Sequence, residues 1–169
     1  MTLDAFNALS RESAQAELLR CCGSARWAAA VAARRPFATP ADLLAAADAE
    51  WARADRAEIL EAFRHHPRIG DVDSLRKKFA STAAWASGEQ SGVSAADEAT
   101  LRGLAAGNTD YERKFGYIFI VCATGKTAAE MLALLQARLP NDPARELPLA
   151  AEEQRKITRI RLEKMLGPT

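Results

Sequence analysis

The chain has 169 residues, 49% of them hydrophobic and 27% charged, with 23 basic against 22 acidic side chains and a formal net charge of +1. That length suits one domain with a real hydrophobic core, since single cores commonly serve about 100–200 residues. So even a charge balance argues against nucleic acid or an anionic membrane surface as partner, and no run approaches the roughly 18 apolar residues of a bilayer span.

In chain order, Leu18, Leu19 and Cys22 share one side of a first amphipathic helix, which Gly23 can stop in a left-handed cap. Ser24 caps a second helix carrying Trp27, Ala28 and Val31, and Pro36 ends it. Thr39 followed by Pro40 opens a third through Leu43, Leu44, Ala47 and Trp51. Ile59, Leu60 and Phe63 then lead at helical spacing into His65-His66-Pro67. Leu75 and Phe79 mark a helix that frays around Ser87-Gly88, and Ser94 with Asp97 has the form of a capping box for a helix through Leu101, Leu104 and Tyr111. Thr127 with Glu130 is a second capping box, for Met131, Leu134, Leu135 and Leu139, and Asn141-Asp142-Pro143 breaks that helix. A closing helix from about Ala144 to Leu166 repeats Ile157, Ile160 and Met165.

One stretch departs from this pattern. Residues 115–121 (FGYIFIV) are continuous, aromatic and β-branched, the signature of a short buried strand or a bent buried segment. No second β-rich run exists to pair with it, so it is read as an irregular buried connection or a distorted helix. The expectation is an all-α fold, a single compact multi-helix domain over residues 1–169 with about eight helical segments. Three cysteines, two of them adjacent, fit a reduced chain. The N-terminal residues lack the apolar core of a secretory signal, and the final Gly-Pro-Thr is not a peroxisomal address, so the cytoplasm is the expected location.

The sharpest local feature is His65-His66-Pro67-Arg68-Ile69-Gly70-Asp71. Proline disfavours the α-region for the residue before it, so the helix ends by His65 and His66 sits on extended backbone. A helix C-terminus favours the protonated imidazole. His66 is either an aimed chemical group or a cap for the preceding carbonyls, whereas His65 is structural or solvent-exposed. Glu89-Gln90, in a glycine-flanked turn, can orient a histidine and read a ureido group, because an amide presents both donors and an acceptor. The same turn also reads as a solvated loop. Arg161, beside Ile160 and Leu162, either snorkels or grips a carboxylate with its fork. Gly125-Lys126-Thr127 ends like a phosphate-binding loop, but Ile120 stands where that pattern needs glycine. Adjacent histidines do not make the one-turn spacing of metal ligands, the cysteines form no C-x-x-C pair, and there is no G-x-S-x-G elbow; no metal is expected.

Together these residues resemble the 2-oxo-4-hydroxy-4-carboxy-5-ureidoimidazoline (OHCU) decarboxylase family. The resemblance covers nearly the whole chain: Trp27 with Arg35-Pro36-Phe37, His66-Pro67-Arg68-Ile69-Gly70, Glu89-Gln90, Asn108 and Tyr111, Lys114-Phe115-Gly116 running to Phe119-Ile120-Val121-Cys122-Ala123, Arg138-Leu139, Asn141-Asp142, Glu146, and Ile157 with Ile160-Arg161-Leu162. It implies an all-helical homodimer that converts OHCU to (S)-allantoin and carbon dioxide without metal or organic cofactor. By position, it makes His66 the catalytic acid. Glu89 then holds the His66 ring, Arg161 an anionic or carbonyl oxygen, and Gln90 the ureido or ring amides. It makes Pro67, the turn Ala86, Ser87, Gly88, Glu89 and Gln90, and the segment Phe119, Ile120, Val121, Cys122 and Ala123 the substrate lining. Ala86 departs from the more polar residue expected in some relatives. Two other classes fit the same residues: a ureide-binding or inactive relative, and a hydrolase releasing ammonia or urea in place of carbon dioxide.

Overall fold

A computed structural model describes residues 1–68, 71–87 and 95–167, with stretches 80–87 and 95–97 described by backbone alone. Among the described residues the chain is all-α, with nine helices and no strand: α1 Leu3–Ala8, α2 Arg11–Cys21, α3 Ala25–Ala32, α4 Pro40–Trp51, α5 Arg56–Arg64, α6 Val72–Ser87, α7 Ala95–Phe115, α8 Ala128–Arg138 and α9 Pro143–Leu166. Its contacts gather into two compact units. The first comprises Met1–His66, Ile120–Cys122 and Leu149–Thr169, the second Pro67–Phe119 and Ala123–Pro148.

Three helix starts follow caps read from the sequence, while the Ser94 box lies outside the described residues. Ser24 accepts from the Trp27 amide, and Thr39 and Thr127 form reciprocal capping boxes with Asp42 and Glu130. Asp55 and Glu58 form another at the start of α5. The short α1 escapes a periodicity search because only six residues build it, around the buried Phe6. Gly23 plays a different part from the one expected. Cys22 ends α2 on extended backbone, and Gly23 does not have a positive φ. Instead a Cβ at this buried position would run into the His65 ring, so glycine permits the end of α5 to pack here. Leu19 is also corrected: it is 38% exposed while Leu18 is fully buried.

The first unit has a core of Phe6, Leu18, Trp27, Val31, Leu43, Trp51, Ala62 and Leu162, among others. Burying about 25 cal/mol per Å² of apolar surface is its main stabilisation. Trp27 and Trp51 keep their indole N–H groups satisfied by donating to the Ala47 and Ala151 carbonyls at 3.0 and 2.9 Å. Arg35 donates to the carbonyls of Phe6 and Leu9 at 2.9 and 2.7 Å, filling acceptors that the end of α1 leaves open. Phe37 and Asn7 exchange two hydrogen bonds, so the Arg35-Pro36-Phe37 motif is scaffold that fastens α1.

The second unit is built chiefly by α7 on α8, with α6 against α7. Gly107 faces Leu135 closely enough that an added Cβ would lie 2.6 Å from its Cδ2. Beneath them Glu146, fully buried, accepts from the Tyr111 hydroxyl at 2.5 Å, Arg138 Nε at 2.7 Å and Asn141 Nδ2 at 2.9 Å. Lys114 donates to the Leu139 and Asn141 carbonyls, both at 2.7 Å, just past the end of α8. Gly116, at φ +80°, ends α7 in the left-handed region. The apolar run that follows is an irregular connection with no strand, as the missing partner strand implied.

Candidate active site

The site grows from the end of α5. Ala62 and Phe63 bury the last turn, His65 caps it, and His66 donates its amide to the Phe63 carbonyl at 3.2 Å. His65 remains exposed, its ring against Gly23 and its Nδ1 3.1 Å from the Glu61 carbonyl. His66 is half-buried, and its Nε2 lies 2.5 Å from Oε1 of Gln154 on α9. Among the described residues its Nδ1 has no hydrogen-bond partner.

The inward stripe of α9 is Ala150, Gln154, Thr158 and Leu162, all at most 5% exposed and each one turn apart. This differs from the expected face: Ile157, Ile160 and Met165 are only half-buried. Hydropathy periodicity follows apolar side chains, so a stripe whose middle members are glutamine and threonine is invisible to it. Buried polar groups need partners, and these have them. Gln154 Nε2 donates to Thr158 Oγ1 at 3.1 Å, and the threonine hydroxyl donates to the Gln154 main-chain carbonyl at 2.9 Å. Glu153, the preceding residue, accepts from the Cys122 amide at 2.7 Å and pairs with Lys156. One turn of α9 thereby holds both His66 and the segment Ile120–Cys122.

Arg161 lies one turn further along α9, half-buried, with Nη1 donating to the Cys21 carbonyl at 3.2 Å. Its fork is anchored at the end of α2, and its charge is felt at His66, Cys21 and Cys22. Burial, the largest influence, pulls the His66 pKa below the ordinary histidine value; the bond to Gln154 opposes this, and the charges of Arg161 and His65 add to it. The expected preference for imidazolium at a helix end is therefore reversed, because desolvation outweighs the helix terminus. Burial likewise pushes both cysteines up to about 11, so neither thiol is a nucleophile near neutral pH.

Of the residues singled out in the sequence, the first unit holds His66, Arg161, Ile120, Val121 and Cys122. The second holds Pro67, which is exposed, and Phe119 and Ala123, which are half-buried. The Phe119 ring meets Tyr111 edge-on at 5.1 Å and lies under the Arg138 guanidinium at 4.6 Å. Ala86 and Ser87 close α6, but their side chains, with Gly88, Glu89 and Gln90, lie outside the described residues. Gln154, Thr158 and Glu153 join the site without having stood out in the sequence. The signal available was Gln154 and Thr158 at i, i+4 in phase with Ala150 and Leu162.

A family model described as OHCU decarboxylase matches residues 7–163 of this architecture. The chain belongs to that family. It is 38% identical over 162 residues to the uric acid degradation bifunctional protein of Arabidopsis thaliana, covering 94% of this chain and 49% of that protein, so it spans about half that relative's length. It is 33% identical over 141 residues to the 2-oxo-4-hydroxy-4-carboxy-5-ureidoimidazoline decarboxylase of Amia calva, covering 82% and 79% of the two chains. A crystal structure of OHCU decarboxylase in the presence of (S)-allantoin superposes with a TM-score of 0.72 at 36% identity, over 90% of this chain and 98% of that one. Among the described residues of this family member, no three His, Cys, Asp or Glu side chains gather as a metal site.

Proposed function

We propose that the chain decarboxylates 2-oxo-4-hydroxy-4-carboxy-5-ureidoimidazoline to (S)-allantoin and carbon dioxide in urate degradation, with His66 handling the proton. The supporting observation is the placement of His66 in a chain of this family: a half-buried imidazole, one nitrogen fixed by Gln154, with a guanidinium close enough to feel.

The substrate's name places a carboxyl and a hydroxyl on one ring carbon and a ureido group on the next. As carbon dioxide leaves, the pair from the broken C–C bond forms a ring C=C, and the former C=N nitrogen takes up a proton. The hydroxyl then loses its proton to become a carbonyl, and the ureido-bearing carbon gains one on a single face. The net change is one proton taken up and one carbon dioxide released. The substrate is its own electron sink, so this chemistry calls for no cofactor. Neutral His66 takes the hydroxyl proton and, as imidazolium, returns a proton to carbon, a form of help worth about 10²–10⁴-fold.

Arg161 holds an anionic or carbonyl oxygen, Glu89 serves the His66 ring from the substrate side, and Gln90 matches the donor–acceptor edge of the ureido group. Pro67, residues 86–90 and residues 119–123 line the substrate. The working form is a cytoplasmic homodimer. The test is product analysis with freshly generated substrate. Carbon dioxide and (S)-allantoin in equal amounts, formed faster than the unaided racemic decay, support the reading; release of ammonia or urea makes the chain a hydrolase, and tight ureide binding with no acceleration makes it a binding protein.

A further inference from the structure

We propose that Gln154, clamped by Thr158, is a positioning residue that keeps a proton on His66 Nε2 and leaves Nδ1 to exchange the proton with substrate. This deepens the decarboxylase reading and rests on it.

Hydrogen-bond accounting carries the inference. Thr158 has one hydroxyl hydrogen and two candidate acceptors besides Gln154's side chain, the Gln154 main-chain carbonyl at 2.9 Å and the Cys22 sulfur; the carbonyl is the far stronger acceptor, and the buried thiol keeps its own proton to donate. Toward the Gln154 side chain, 3.1 Å away, Thr158 Oγ1 is therefore an acceptor, and the group facing it is the amide NH₂. That choice fixes the carboxamide: Oε1 is turned to His66, and an oxygen with no hydrogen requires the donor to be Nε2–H. Gln154 is fully buried and Thr158 is 5% exposed, so water is a poor substitute for either partner. Since an imidazole with Nε2 protonated can accept only at Nδ1, the clamp selects one of two neutral tautomers.

Among the described residues the charged groups felt by the ring are Arg161 of α9 and His65 of its own turn, both opposing a second proton. Burial and these charges favour the neutral ring, and the clamp leaves that ring its lone pair at Nδ1, the form a base needs.

The chain has two histidines, so ¹⁵N-histidine spectra resolve the matter directly, with His65→Asn assigning the signals. In the wild-type protein without substrate, His66 is expected as the Nε2–H tautomer. Gln154→Met, close in volume, should erase that preference and lower kcat roughly 10- to 100-fold with KM little changed, the size seen for partners that orient metal-bound histidines. Gln154→Glu keeps the acceptor; it should retain the tautomer and move both the His66 titration and the acid limb of kcat/KM to higher pH. Thr158→Val, which frees the amide to flip, should weaken the tautomer preference even if Gln154→Met fails to fold. A wild-type Nδ1–H tautomer, or unchanged tautomer and kcat in a folded Gln154→Met, overturns the proposal. These spectra need no turnover, so they stand apart from the decarboxylase reading, which fails if the wild-type protein does not accelerate loss of carbon dioxide.

Discussion

His66 shows how a residue's neighbours can outweigh its local sequence. The break before Pro67 and the helix end around it both argued for imidazolium. Burial and the Arg161 charge favour the neutral ring instead. The sign for activity follows. A base must start neutral, so kcat/KM should hold down to a pH below the usual histidine value of about 6.5 and fall on further acidification. A rate that rises as pH drops through that region would mean the protonated ring is the resting form. Arg161 gives a second expectation. One of its nitrogens is engaged at the Cys21 carbonyl, and the planar fork carries further donors on separate nitrogens to substrate, a span that a compact ammonium lacks. Arg161→Lys should lose about 10-fold or more in kcat/KM with the fold intact, the size of one charge-assisted hydrogen bond of about 1.5–3 kcal/mol. Circular dichroism beside initial rates checks it, and near-wild-type turnover would return Arg161 to a snorkelling role. The family pattern singled out His66 and Arg161, which the structure holds in one unit. Gln154 was not, since a buried glutamine announces itself only once its partners are known.

At the scale of elements, caps carry most of what could be read. Three N-caps legible in the sequence, Ser24, Thr39 and Thr127, open their helices with the hydrogen bonds their side chains permit, and Asp55, which was not singled out, does the same for α5. Tertiary contacts decide what local chemistry cannot. Gly23 looked like a helix stop because glycine tolerates left-handed backbone; it is required by the close approach of His65. Gly23→Ala should therefore push the end of α5 away, costing about 1–3 kcal/mol in stability and lowering kcat through the displaced His66. Urea unfolding and steady-state kinetics test the two parts; a stable variant with full activity would mean His65 moves aside freely. The α9 face is the larger lesson. Its two polar inward residues defeat the 3.6-residue apolar count, and polar residues on a buried stripe are where function is to be sought.

For the molecule as a whole, much of the family pattern is scaffold. Tyr111, Arg138, Asn141 and Glu146 converge on one buried carboxylate, and Arg35-Pro36-Phe37 fastens α1. Removing one partner of a buried ion pair strands the other, so Glu146→Leu should destabilise by about 3–5 kcal/mol, seen as a lower urea midpoint at unchanged m-value. A shift under about 1 kcal/mol would show that Arg138 finds water instead. The all-α class and the family were legible from the sequence, because caps, breaks and the order of motifs are local. The pairing of α5 with α9 was not, because 88 positions separate His66 from Gln154. On the proposed function, His66 makes this chain a stereospecific decarboxylase. The most direct test is the initial rate of optically active allantoin from freshly generated substrate, since unaided decay gives racemate. The wild-type protein should form (S)-allantoin in excess, and His66→Asn should fall to the unaided racemic course while still binding allantoin. Excess (S)-allantoin from His66→Asn at the wild-type rate would contradict the account.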